Sequence, residues 1–156
     1  MNTDAKDLSS AQSPSNTKQP AAMSKVPYRA AIGSMMYASV CTRPNIAFSV
    51  NKLAQFSMNP SQAHWTAVKH VLSYLKATKS HRLVLGGRLS QITLRGSADS
   101  DYASDIDTRK SISGYVFFIG QGAISWSSKK QATIATSSYE AEYVSACNAA
   151  KETVWL

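Results

Sequence analysis

The chain has 156 residues, 44% of them hydrophobic and 9% aromatic, with a formal net charge of +8. An apolar share near the globular norm excludes a wholly disordered polyelectrolyte, and no apolar run approaches the roughly 18 residues that a membrane-spanning helix needs. The N-terminus is polar where a secretory signal would be apolar, so the sequence predicts neither export nor membrane insertion but an intracellular place, cytoplasm or nucleus.

Charge is spread unevenly along the chain. Residues 1–80 hold nine Lys and Arg against Asp4 and Asp7, a net of +7, whereas 81–156 hold eight against seven acids, a net of +1. All seven of those acids lie from Asp99 onward. A basic half followed by clustered carboxylates suits a protein that holds a polyanion on one side and cations on the other, although a solvated lysine-rich surface gives the same totals. Cys41 and Cys147 match no metal-ligand spacing and read as small buried residues in a reducing compartment.

Residues 1–25 are Ser, Thr, Asn, Gln, Asp, Lys and Pro with hardly a large apolar side chain, and are predicted to be a disordered linker. Tyr28, Ile32, Met35 and Met36 then recur at helical spacing, predicting a first helix that ends near Cys41. Thr42-Arg43-Pro44 resets the chain, and Ile46, Val50, Leu53 and Phe56 mark one face of a second helix over about 44–57. After Asn59-Pro60-Ser61, Trp65, Val68, Val71, Leu72 and Leu75 define a third, whose other face carries Lys69, His70, Lys76 and Lys79. Three short helices with polar loops predict a small bundle.

Beyond Lys79 the period changes to two. Residues 81–85, closed by Gly86-Gly87, and 91–98 are strand candidates, and 115–119 with 123–127, joined by Gly120-Gln121-Gly122, predict a hairpin. The last segment, from Ser138 to Leu156, has a serine cap and Tyr139, Tyr143, Cys147, Ala150 and Val154 at helical spacing.

Two acidic stretches could carry chemistry. The first runs from Asp99 through Asp101 and Asp105 to Asp107, its leading acid at the end of a predicted strand, where carboxylates can converge on a hard cation. An EF-hand loop is excluded, because Ala103, Ser104 and Lys110 stand where an oxygen ligand, a glycine and a glutamate are required. A polar turn capped by Asp105, with Arg109 and Lys110 balancing the charge, fits the same residues. The second stretch places Glu140 and Glu142 in the first turns of a helix, where acids complement the dipole. These two lie about 200° apart around the axis, so at most one faces the same site as Asp99, and periodicity does not choose between them.

Gly96-Ser97-Ala98-Asp99-Ser100-Asp101-Tyr102-Ala103-Ser104-Asp105, then Arg109-Lys110-Ser111-Ile112-Ser113-Gly114-Tyr115, Ala123-Ile124-Ser125-Trp126-Ser127-Ser128-Lys129-Lys130-Gln131 and Glu140-Ala141-Glu142-Tyr143 closely resemble the RNase H region of copia-type retrotransposon Pol polyproteins. Upstream, Pro27-Tyr28-Arg29, Ile32-Gly33-Ser34, Thr42-Arg43-Pro44-Asn45-Ile46, His64-Trp65 and Ser73-Tyr74-Leu75-Lys76-Ala77-Thr78 resemble the segment that links the polymerase to RNase H in the same polyproteins. The motifs run over about residues 26–156 in the family's order.

The resemblance implies an α+β or α/β architecture: a helical, connection-like segment over 26–80, then a partial RNase H-like domain over 81–156 with an antiparallel three-stranded sheet and its first helix. Asp99 matches the family's first-strand catalytic aspartate and Glu142 the glutamate of the first helix, and both would be Mg²⁺ ligands. In the family, two Mg²⁺ ions held by four acids activate a water and stabilise the leaving oxygen as the RNA strand of an RNA/DNA hybrid is hydrolysed. Asp101 and Glu140 match common family residues that are not ligands. Tyr102, Ser104 and Asn45 replace the usual tryptophan, glycine and aspartate, which bears on local packing.

The family's third and fourth acids lie beyond the first helix, and no Asp-Asp polymerase motif occurs here. The expectation is a piece of a Pol polyprotein whose hybrid-cleaving activity is impaired or lost, with the rest of Pol as partner. The alternative is a non-catalytic remnant whose basic helices contact nucleic-acid phosphates through Lys69, Lys76 and Lys79.

Overall fold

The computed structural model describes residues 8–14, 23–86 and 93–156. They fall into two compact units, Met1–His81 and Arg82–Leu156.

In the first unit, α1 (Tyr28–Cys41) buries Tyr28, Ile32 and Met35 and packs Met36 against the same core. Proline at the first position of a 3-10 turn, Pro44–Ile46, feeds α2 (Ala47–Ala54), since its fixed φ suits a helix start and its missing N–H costs nothing there. Ile46, Val50, Leu53 and Phe56 are all buried, as their spacing requires. Ser61 caps α3 (Gln62–Ala77), accepting from the His64 amide while the His64 ring accepts from the Ser61 amide. Leu72, predicted to face inward, is 40% exposed; Ala67 and Val68 take the core positions on this helix.

Two polar clamps fix the loops. Arg43 lies over the Tyr74 ring at 5.8 Å and donates to the Thr78 hydroxyl at 2.6 Å and carbonyl at 3.3 Å, tying the C-terminal end of α3 to the turn before α2. Tyr28 Oη donates to the Leu53 carbonyl at 2.9 Å, and burial pushes its phenol pKa up, which keeps it a donor.

Part of the predicted linker is ordered. Residues 8–14 carry a capped 3-10 turn, Ser10–Gln12, and Leu8 is fully buried in the helical core. His64, stacked on Phe56 at 4.0 Å, holds the Ser9 carbonyl through Nε2 at 3.2 Å, and Asn59 donates to the Pro14 carbonyl at 3.2 Å. One leucine with two polar ties offsets the ordering entropy that composition alone set against the segment. The rest of the predicted linker up to residue 22 lies outside the described residues.

In the second unit, β1 (Leu94–Asp101), β2 (Ile112–Ile119) and β3 (Gly122–Lys130) form an antiparallel sheet in the order β1-β2-β3. The hairpin closes on Gly120-Gln121, with Gly120 at φ +62° supplying the left-handed residue that a two-residue loop wants first. β1 lies later than predicted, so Asp99 sits inside the strand rather than at its end; Gln91 and Ile92 lie outside the described residues. The strand expected at 81–85 does not form, although its Val84 carbonyl and Leu85 approach so closely that a Cβ on Gly122 would meet them at 2.5 and 2.7 Å. The architecture among the described residues is mixed α+β.

Helix α4 (Ser138–Trp155) crosses β1 and β2 through Ala141, Ser145 and Ala149, and not through the apolar stripe that its sequence suggests. Tyr139, Tyr143 and Val154 are 80%, 66% and 90% exposed. Small side chains win because they let the helix axis approach the sheet, where the Ser145 hydroxyl reaches backbone carbonyls; tyrosines on that face would hold it off. The cysteine expectation also fails at one position: Cys41 is exposed at the end of α1, and Cys147 is half-buried.

Replacing Leu8 with alanine should destabilise the first unit by about 2 kcal/mol, the low end for a fully buried leucine since the short segment can detach. Hydrogen exchange should show protection lost first in residues 8–14; unchanged protection would mean Leu8 does not anchor them.

Candidate active site

The sheet has two unlike faces. Gln131 Nε2 bridges the Ser113 hydroxyl (2.8 Å) and the Ala141 carbonyl (3.0 Å), and Ser125, the partner of Phe117, donates to Glu152 of α4 at 2.5 Å. Ser113, Tyr115 and Phe117 therefore lie on the face that α4 covers. Ala98 and Ser100, their neighbours on β1, share that face, and Asp99, paired with Gly114, projects from the opposite one.

Glu142 reaches β1 from the helix side. Its Oε1 accepts the backbone N–H of Ser100, the residue after Asp99, at 3.3 Å, and one turn further on Ser145 Oγ donates to the Asp99 carbonyl at 2.6 Å and the Gly114 carbonyl at 3.2 Å. Both acids are solvent-exposed. The structure thus brings Glu142 to the backbone beside Asp99. Glu140 turns away: its Oε2 accepts the Thr136 amide and hydroxyl, both at 2.7 Å, and these bonds hold its carboxyl below the ordinary range. It caps the start of α4, which also favours an anion at the helix N-terminus.

The acidic turn is structural at Asp105. That carboxylate is 1% exposed, accepts from the Thr108 amide at 3.2 Å and the Thr108 hydroxyl, and pairs with Lys130 at 3.2 Å. Lys130 on β3 balances its charge, and Lys110, one of the two cations that the sequence suggested for that part, donates to the Ala132 carbonyl. Tyr115 and Glu152 meet at the other end of α4, where burial first and the Glu152 charge second push the phenol pKa up. A cavity of about 440 Å³ opens between β3 and α4, and neither Asp99 nor Glu142, both exposed, lines it.

Among the described residues no group of three or more His, Cys, Asp or Glu could hold a metal ion. The donors beside β1 are two carboxylates, which suits Mg²⁺, an ion that often takes one or two carboxylates and keeps its other positions for water and substrate phosphate. Lys69, Lys76 and Lys79 are all exposed on and just beyond α3, in the other unit. Ser100, Gln131 and Ser145, which position this region, were not singled out from sequence, because a serine or glutamine gains its role only from the backbone that it meets.

Because the folded-state pKa of Glu140 is depressed, its contribution to stability is complete above the unfolded value of 4.5 and is lost as pH falls through that value toward the folded one. Glu140→Gln should therefore flatten the acid limb of the stability-versus-pH curve measured by thermal unfolding, and an acid limb unchanged from the parent's would refute the Thr136 cap.

No family model matches the chain, and no solved structure is detectably similar to it. It is 48% identical over 149 residues to the Retrovirus-related Pol polyprotein from transposon TNT 1-94 of Nicotiana tabacum, covering 96% of this chain and 11% of that protein. Identity to the Retrovirus-related Pol polyprotein from transposon RE2 of Arabidopsis thaliana is 40% over 129 residues, 83% of this chain and 9% of the relative. The Secreted RxLR effector protein 161 of Plasmopara viticola is 45% identical over 134 residues, 86% of this chain and 94% of the effector. The chain spans about a tenth of the length of the Pol polyproteins it matches. With those identities running over most of its length, the chain belongs to the retrovirus-related Pol polyproteins of copia-type transposons.

Proposed function

We propose that the second unit is part of an RNase H-like nuclease site in which Asp99 and Glu142 hold Mg²⁺, and that the first unit holds nucleic acid through Lys69, Lys76 and Lys79. The observation that carries the proposal is the hydrogen bond from the Ser100 amide to Glu142, which seats a helix carboxylate at the backbone beside a strand carboxylate. When bound, Mg²⁺ would supply an activated water and neutralise the leaving oxygen during hydrolysis of the RNA strand of an RNA/DNA hybrid. The protein's own task is orientation. Ser145 clamps α4 onto the Asp99 backbone carbonyl, and the Ser100 amide fixes the Glu142 carboxylate, so the helix acid and the backbone that carries the strand acid are set before substrate arrives.

Two carboxylates bind the ion weakly and do not fix a pair of metals in line with the scissile phosphate. The 156-residue polypeptide should therefore bind Mn²⁺, a paramagnetic stand-in, with broadening centred on the Ser100 amide, and should lose it in Asp99→Asn and Glu142→Gln. It should not cleave hybrid appreciably. A longer Pol polypeptide that adds the family's remaining acids should cleave the RNA strand in Mg²⁺, with both substitutions abolishing cleavage and Glu140→Gln far milder. Full activity of the Asp99→Asn form in that longer polypeptide would refute the assignment.

The exposed lysine row on α3 supports a phosphate contact independent of cleavage. Each phosphate neutralised adds roughly 0.7 to 0.9 to the slope of log affinity against log salt. Lys69→Glu with Lys76→Glu should weaken hybrid binding and make that slope shallower by roughly 1.5 to 2. An unchanged slope would place the contact elsewhere.

A further inference from the structure

Glycine inside a strand weakens it and calls for a reason: a positive φ, a neighbour that a Cβ would strike, or something that must come close. Gly114, in the middle of β2, has neither of the first two. The positive-φ glycines among the described residues are Gly86 and Gly120. A Cβ on Gly114 would meet only the Ser127 carbonyl, at 3.6 Å, an ordinary contact. The comparison with Gly96 and Gly122 is sharp, since a Cβ there would lie 2.3 Å from the Phe117 ring and 2.5 Å from the Val84 carbonyl.

Gly114 is the β2 partner of Asp99 and on its other side the partner of Ser128, so Asp99, Gly114 and Ser128 form one row across the face opposite α4. The row toward one strand end is Asp101, Ile112 and Lys130; the row toward the other is Ser97, Val116 and Trp126. Ile112 and Val116 thus wall a low strip whose floor is bare at Gly114. Ile112 and Val116 are four strand rises apart, roughly 13 Å between Cα atoms, which leaves room between their side chains for one extended sugar-phosphate strand.

Resting on the proposed Asp99 and Glu142 site, we infer that Gly114 is a positioning residue for substrate: its missing side chain lets a nucleic-acid backbone pass against β2 and present a phosphodiester to Asp99. A polypeptide packed into the same strip would bury the Asp99 carboxylate against apolar walls, which is costly without a partner, whereas a phosphate strand brings its own cations and leaves the site wet.

The test uses the 156-residue chain with Gly114→Ala and Gly114→Val, read by thermal unfolding, by Mn²⁺ broadening at the Ser100 amide and by amide shifts on titration with an RNA/DNA hybrid. Gly114→Ala should unfold at the parent's temperature or above it, since the fold leaves room and the unfolded chain loses freedom. Both variants should keep the Mn²⁺ response. The hybrid should perturb the Asp99 and Ser128 amides in the parent, less in Gly114→Ala, and at least 10-fold more weakly in Gly114→Val. A fall in unfolding temperature beyond roughly 5 °C in Gly114→Ala would make the glycine structural and overturn the inference. So would equal perturbation in Gly114→Val, or a parent whose Asp99 face ignores the hybrid. Absence of Mn²⁺ broadening in the parent would sink the metal assignment instead, leaving the hybrid arm to decide Gly114 by itself.

Discussion

The close seating of α4 on β1 and β2 governs the second unit. Ala141, Ser145 and Ala149 let the helix approach until the Ser145 hydroxyl is shared between the carbonyls of Asp99 and Gly114, on two different strands. A hydroxyl that is 1% exposed must find an acceptor, so this contact fixes the height and position of the helix above the sheet at once. Three residues earlier on the same helix, Glu142 inherits that placement and meets the Ser100 amide. A bulkier residue at position 145 would lift the helix and withdraw the carboxylate from the Ser100 amide.

The same economy separates the acids into distinct tasks. Glu140 closes the start of α4 through Thr136, and Asp105 is buried in its turn with Thr108 and Lys130. Glu152 serves Ser125 and Tyr115 at the far end. Each of these is held by neutral donors or a cation that belong to the fold. Asp99 and Glu142 differ in being exposed beside an edge strand of the sheet, the setting in which a carboxylate can still exchange water for a cation.

The first unit is held by local chemistry to a greater degree. Proline starts one helix, a serine-histidine box starts another, and Arg43 ties off the end of α3. Around them Tyr28, Ile32, Val50, Leu53 and Val68 make a conventional apolar core. The addition that composition did not foretell is the Leu8 segment, latched by His64 and Asn59. A ring buried at 0% exposure with both nitrogens engaged is as much a cap for the N-terminal turn as for its own helix.

Sequence by itself determined the three helices of the first unit, the β2–β3 hairpin and the start of α4, because proline, glycine, serine caps and apolar periodicity act within a few residues. It also carried the family, through ordered motifs that the relatives share. It left Glu140 and Glu142 undivided, because both flank the same helical stripe and only the backbone of β1 distinguishes them. It misjudged the packing face of α4, where hydrophobicity pointed to Tyr139, Tyr143 and Val154 while the sheet accepted only small residues. It likewise predicted a strand at 81–85 whose alternation is real but for which no ladder partner exists among the described residues. Those matters were decided by tertiary structure, for one physical reason: steric closeness and the satisfaction of buried carbonyls and amides depend on which backbone arrives from elsewhere, and local residue patterns do not carry that information.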